Sequence, residues 1–191
     1  MKKQQTDARR CPPRRRRSSG KTVLSVVALL QHPDPAIRDG LAYPALRDGV
    51  LAGALDDHAQ WLIEHLTGVE GMRYDPAEGQ SVPAGVVRSF AVLGLVLVVH
   101  RARRRSAVGI DLESVLQATT TLLSEDQDLT SWDPRYGWAH LPAHAADLVG
   151  ELFETGIDPE PARAIYRQLV TRDADHGFID GIRRVNLALL R

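Results

Sequence analysis

The chain is short of several things, and each shortage closes an option. Of its 191 residues one is a cysteine, Cys11, so no internal disulfide can form and no cysteine-based zinc cluster is available. A reducing, cytoplasmic setting is the expectation. Aromatic residues make up only 5%, so a core has to rest on Leu, Val and Ala, the staples of helix packing. Apolar runs are short too. The longest, Phe90 to Val99, has ten residues, against the roughly 20 that a membrane helix needs. Val23 to Leu30 follows a basic stretch in the order of a secretory signal, yet Gln31-His32-Pro33-Asp34 offers no small-residue cleavage site. No membrane segment is expected.

What remains is globular in character: 43% hydrophobic and 25% charged residues, in a length that suits one domain with a real core. A net charge of zero conceals a division. Residues 1–21 hold nine Lys or Arg and one acid, Asp7, whereas the other 170 residues hold 15 basic and 23 acidic side chains. A +8 arm is therefore attached to a −8 body. Residues 1–20 lack apolar periodicity and read as a disordered basic tail, and 21–191 read as a single helical domain. The run Arg14 to Arg17 would attract nucleic acid weakly and nonspecifically, or simply stay solvated.

From Thr22 onward the patterning is helical throughout, and no segment alternates long enough to predict a sheet. A first helix covers Val23 to Leu30. A second starts near Pro35 and contains Pro44, which should kink or divide it. Asp56 is placed to cap a third, carrying Trp61, Leu62, His65 and Leu66. A fourth, from about Pro83 to His100, is apolar all round and should be the central buried element. Asp111 would cap a fifth. Ser124 to Tyr136 reads as a polar loop, Leu141 to Thr155 as a sixth helix ended by Gly156, and Asp158 as the cap of a seventh, with a last helix over Ile179 to Leu190. The fold class predicted is all-α, an irregular array of about seven to eight helices. Hairpins of similar length suggest stacking, and Leu29 to Ala42, with Pro33-Asp34-Pro35 before the pair Arg38-Asp39, looks like one HEAT-type repeat without clean later copies.

The Pro-Asp-Pro-x-x-Arg-Asp turn motif (Pro33 to Asp39), Val87-Arg88-Ser89-Phe90, and Gly137-Trp138-Ala139-His140-x-x-x-His144-Ala145-Ala146-Asp147-Leu148 occur in a familiar order. Together they resemble a bacterial family catalogued as domain of unknown function 2785, over about residues 22–190. The resemblance implies a helical, HEAT-like fold in a bacterial cytoplasm and supplies no activity.

The tryptophan–histidine segment is the most site-like feature. At 3.6 residues per turn, positions 140, 144, 147 and 151 fall within an arc of roughly 60°, so His140, His144, Asp147 and Glu151 would share one polar stripe. Two imidazoles a turn apart with a carboxylate form a set that zinc or another divalent metal accepts. His140, His144 and Asp147 are therefore the candidate metal ligands, with Asp133, Asp39 or His100 as guesses for a further group. Pro142 is comfortable only in a first turn, so a helix starting near Leu141 leaves His140 ahead of it, free to point away from His144. Three readings are open. The histidines and Asp147 bond neighbouring helices at the core's edge with Trp138 packed beneath; or they form the centre of a metal-dependent, hydrolase-like enzyme; or Asp133, Arg135, Trp138, His140 and His144 line a site for a small ligand or protein partner. No complete catalytic constellation accompanies them, so a helical scaffold that binds a partner or ligand is the leading expectation. Arg101 to Arg105 would serve either as a nucleic-acid patch or as the cationic end of the central helix.

Overall fold

A computed structural model describes residues 20–76, 82–105, 108–126 and 132–172. The tail predicted for 1–20, with Cys11 and Arg14 to Arg17, and the last helix predicted over Ile179 to Leu190 lie outside these residues, apart from Gly20.

The described chain is mostly helical, as the patterning predicts. Helix α1 spans Gly20–Leu29 and buries Val23 and Val27. Asp34 then opens α2 (Pro35–Ile37), its Oδ1 accepting the Ala36 N–H at 2.8 Å. Pro44 does not break the next helix. Instead Arg38–Ala42 form a π turn, in which the Tyr43 N–H reaches the Arg38 carbonyl, and α3 (Tyr43–Leu51) follows directly. Proline lacks an N–H and crowds the carbonyl four residues back; a widened turn just before it absorbs the mismatch.

The capping role expected of Asp56 is not observed. Asp56–His58 is a 3₁₀ turn ahead of α4 (Ala59–Thr67), and the Asp56 carboxylate is gripped by Arg101 at 2.9 and 2.7 Å. A bidentate charge-assisted pair outcompetes a single cap bond. On α4, Leu62, Ile63 and Leu66 face inward while Trp61 stacks on His65 at 5.0 Å.

Helix α5 (Ala84–Arg104) is the central element, buried almost continuously from Gly85 to Val99. By length and composition it is apolar enough to cross a membrane, but most of that stretch is buried inside the protein. Its C-terminal arginines match the helix dipole, and two are paired: Arg101 with Asp56, and Arg103 with Glu151 and Glu154. Asp111 caps α6 (Leu112–Glu125) through the Ser114 N–H, as predicted, and Val115, Thr119, Leu122 and Leu123 form its buried stripe.

The loop expected over Ser124 to Tyr136 is corrected in its second half. Trp132–Asp133 (β1) and Gly137–Trp138 (β2) pair antiparallel, Trp132 opposite Trp138 and Asp133 opposite Gly137. Two residues per strand are too few to register as alternation. Helix α7 (Leu141–Glu154) ends before Gly156, at φ +88°, and α8 (Glu160–Arg172) starts after Asp158, whose carboxylate accepts the Glu160 N–H.

Helix α3 packs on α1 and α5, α5 on α4 and α7, and α6 on α4, α7 and α8, with α8 also against α7. The broadest contact joins α5 to α7. HEAT-type repeats are not shown by this packing; the Pro33–Asp39 turn motif that suggested them has one copy in the sequence. What the packing does for function is to press the histidine-bearing helix α7 onto the core helix α5, with the β1–β2 hairpin at its entrance.

Candidate functional site

Local chemistry builds the hairpin. Asp133 Oδ1 accepts the N–H groups of Arg135 at 2.7 Å and Tyr136 at 3.0 Å, an Asx turn tightened by Pro134. Gly137 closes it at φ +77°, a conformation that glycine adopts without a Cβ penalty. Asp133 is thereby committed to the turn, and the exposed Arg135 lies over Tyr136, its guanidinium carbon 5.3 Å from the ring. Neither of these two predicted ligand residues joins the histidines.

Side chains on paired strands alternate between two faces. On the inner face Gly137 lies against α2: a Cβ there would sit 3.2 Å from Pro35 Cγ and 3.6 Å from Arg38 Nη2. Arg38 is fully buried. Its Nε donates to Asp39 Oδ1 at 2.7 Å, Nη2 to the Tyr136 carbonyl at 2.6 Å and Nη1 to the His32 carbonyl at 3.4 Å. Its guanidinium carbon sits 4.6 Å from the Phe90 ring centre. One side chain therefore fastens the Pro33–Asp39 turn motif, the hairpin and α5 together.

The outer face is aromatic. Trp132 and Trp138 are 52% and 47% exposed and meet edge to face at 6.4 Å, with 63° between their planes. His140, two residues beyond Trp138, stacks on it at 4.6 Å and 10°. Trp138 is therefore not packed beneath the histidines, as one reading of the sequence had it, but stands half in solvent beside one of them. An antiparallel ribbon twisted up by a tight turn carries both indoles to its outward side, where each stays about half exposed.

Pro142 occupies the first turn of α7, where it is tolerated, and His140 precedes the helix in the left-handed region, φ 56° and ψ 26°. That conformation keeps His140 near His144, with ring centres 5.9 Å apart. Burial pushes the His140 pKa down, and the Asp39 carboxylate opposes that shift. His144 points into the protein. Its Nδ1 lies 2.9 Å from Ser89 Oγ and 3.2 Å from the Ser89 carbonyl, and its ring meets Phe90 edge-on at 6.4 Å. Burial lowers its pKa to about 4 against the partial support of the Ser89 carbonyl, and His140 lowers it further. Ser89 itself is fully buried, so its hydroxyl orients His144 and is out of reach as a nucleophile.

The metal set of His140, His144 and Asp147 is not assembled. Asp147 is exposed, and its carboxyl is pushed up by desolvation and then by Glu151. Glu151 in turn holds His100 Nδ1 at 2.9 Å and Arg103 Nε at 3.0 Å, which also removes His100 from the candidate site. Among the described residues no three His, Cys, Asp or Glu side chains form a group fit for a metal ion. Helical spacing aligned the residues; His144 bonds to Ser89, His140 stacks on Trp138 and Asp147 is exposed. Of the proposed set, Trp138, His140 and His144 come together, with Asp39 near enough to bias His140. Trp132, Arg38 and Ser89 were missed. Trp132 was legible, because it stands symmetrically with Trp138 across Asp133-Pro134 and Gly137, whereas nothing in the sequence marks Arg38 as buried.

A separate cavity of about 720 Å³, lined by Met72, Arg73, Arg88, Gln117, Thr121 and Asp126 among others, shares no residue with the histidine segment. There Arg88 donates to the Tyr74 carbonyl at 3.0 Å and to the buried Asp126 at 2.9 Å, a tie between the 67–76 turn, α5 and α6.

Residues 81–173 match the family described as protein of unknown function (DUF2785), a stretch that holds α5 to α8, the hairpin and every histidine-segment residue while leaving Arg38 before it. No curated protein and no solved structure matches the chain. The match supports the resemblance to the DUF2785 family carried by Val87 to Phe90 and Gly137 to Leu148, and it does not reach the Pro33–Asp39 motif.

Proposed function

We propose that the protein is a non-catalytic recognition module, a helical scaffold that offers the Trp132–Trp138–His140 surface to a partner. The observation that carries this reading is the pair of half-exposed tryptophans on a turn fixed from behind by the buried Arg38. Exposed large apolar side chains cost solvation, and tryptophans on rigid supports are the usual anchors of protein interfaces. Pre-organisation reduces the ordering cost of binding, and the Asx turn, Gly137 and Arg38 supply it. The rival metal-enzyme reading finds no group of three His, Cys, Asp or Glu fit for a metal among the described residues, and a Ser89 hydroxyl that substrate cannot reach.

The test compares the wild-type chain with a Trp132→Ala/Trp138→Ala double variant immobilised side by side. A protein that the wild type retains from cell extract and then binds directly in pure form, while the double variant retains at least tenfold less, supports the reading. Equal retention by both overturns it. So does hydrolytic turnover by pure protein that His144→Asn abolishes.

A further inference from the structure

The cavity between the 67–76 turn, α5 and α6 has a chemistry that the tryptophan surface does not share. Its volume of about 720 Å³ lies within the roughly 300–1,000 Å³ of small-molecule pockets. Helix α6 supplies one wall. Ser114, Gln117, Thr121 and Glu125 line the cavity at helical spacing, beside the buried stripe that begins at Val115. The turn supplies another wall, with Arg73 and Asp75, and its backbone is tightly fixed. The Met72 N–H donates to the Leu66 carbonyl at 2.8 Å and the Arg73 N–H to the Gly68 carbonyl at 3.0 Å. A Cβ at Gly71 would collide with the Leu66 carbonyl.

Arg88 lines the same cavity with donors to spare. Nε and Nη1 are bonded to the Tyr74 carbonyl and to Asp126, which fixes the plane of a group that carries five N–H donors. Nη2 has no partner among the described residues. It is also not buried, because Arg163 Nε is the one buried, unpartnered side-chain nitrogen or oxygen among them. Arg73, Asp75 and Glu125 are exposed, and none has a side-chain bond or ion pair among the described residues. Charges of both signs are therefore uncommitted here. A simple anion would leave the carboxylates unanswered and a simple cation the guanidinium groups, whereas a molecule carrying one of each answers both.

We infer that the cavity binds a small zwitterion of the α-amino-acid or short-peptide class, its carboxylate on Arg73 and Arg88 Nη2 and its ammonium on Glu125 and Asp75. Met72 and Leu122, which also line the cavity, give an apolar side chain a place to lie. The site shares no residue with Trp132, Trp138 or His140, so it is independent of the recognition reading and is tested apart from it.

The experiment screens full-length protein against the free amino acids and glycyl dipeptides by saturation-transfer NMR. Calorimetry then compares the tightest binder with its N-acetyl and C-amide derivatives. At least one zwitterion is expected to bind, and blocking either end should weaken it about fivefold or more. Arg73→Gln should weaken the parent by about as much and leave the amide's affinity nearly unchanged, because the amide has already lost the carboxylate. Glu125→Gln should do the same for the acetylated derivative. Both positions are exposed and unpaired, so the two variants should unfold at the wild-type temperature. The Trp132→Ala/Trp138→Ala variant should bind the zwitterion as the wild type does. Absence of binding at millimolar ligand would overturn the inference. So would blocked derivatives that bind as tightly as the parent, affinity that neither Arg73→Gln nor Glu125→Gln changes, or binding lost with the tryptophans.

Discussion

His140 and His144 stand four residues apart, and their rings are neighbours at 5.9 Å, yet they belong to two different regions. His144 is part of the floor, bonded to Ser89 of the core helix and wedged against Phe90. His140 is part of the rim, stacked on a half-exposed tryptophan in a left-handed backbone conformation. The same side chain at helical spacing thus becomes a structural peg in one place and a piece of surface in the other. Pro142 makes the division: it sits in the first turn of α7 and leaves His140 ahead of the helix. Spacing proposes which side chains share a face, while the partners available on neighbouring elements decide what each one does.

The largest effect should come from cutting the fastening between rim and floor. Arg38→Met removes the donor to the Tyr136 carbonyl and the stack on Phe90. Loss of a buried guanidinium that leaves an acceptor unsatisfied costs on the order of 3 kcal/mol. Arg135→Met, on the exposed turn, should change stability by less than about 0.5 kcal/mol. Urea unfolding of the two variants measures the difference. Comparable losses would show that the hairpin is not held through Arg38. The near-ultraviolet circular dichroism of the tryptophans should fall in the Arg38 variant alone.

Next in size is the pH dependence of the floor. His144 has its folded pKa lowered from 6.5 to about 4, so the unfolded chain takes up its proton first as pH falls. Its contribution is fully present above about pH 6.5 and is lost progressively down to about pH 4, on the order of 3 kcal/mol in total. His144→Asn keeps an acceptor toward Ser89 but does not titrate. The variant's stability should therefore decline less than the wild type's between pH 6.5 and 4, measured by chemical unfolding at several pH values. Parallel curves would mean that His144 is no more buried than an ordinary histidine. Asp147 acts in the other direction, since a raised carboxyl pKa favours the fold at low pH and loses that effect as pH rises through the raised value.

Much of this architecture was legible in the chain, for reasons that separate the two regions. The all-round apolar run of α5, the caps Asp111 and Asp158, and Gly156 after α7 are local signals, and the structure follows them; Asp56, read as a cap in the same way, is held by Arg101 instead. The floor is a matter of tertiary pairing. That Ser89 would meet His144, 55 residues away, or that Arg38 would meet Tyr136, 98 residues away, has no local signature. The π turn before Pro44 was readable only as a disturbance, because a kink, a break and a widened turn are all ways to accommodate proline. The candidate metal set rested on the same kind of local signal, and among the described residues no three His, Cys, Asp or Glu side chains form such a group. Periodicity aligned His140, His144 and Asp147, and Ser89, Trp138 and solvent then claimed one each.

The smallest effect tests whether the rim depends on its backbone conformation. His140 adopts φ 56°, and Asn tolerates that region better than Ala does. His140→Ala loses the stack on Trp138 and gains nothing in the backbone, so a loss of about 1 kcal/mol is expected. His140→Asn loses the same stack but fits the conformation more easily, which should hold its change to within about 0.5 kcal/mol. Both should shift tryptophan emission alike, because both remove the ring lying 4.6 Å from Trp138. Equal stability losses with equal emission shifts would mean that the left-handed residue carries no cost, and that the stack alone sets the rim. A smaller loss for Asn with the same emission shift would separate the two contributions, and would place the strain at the residue where the hairpin hands over to α7.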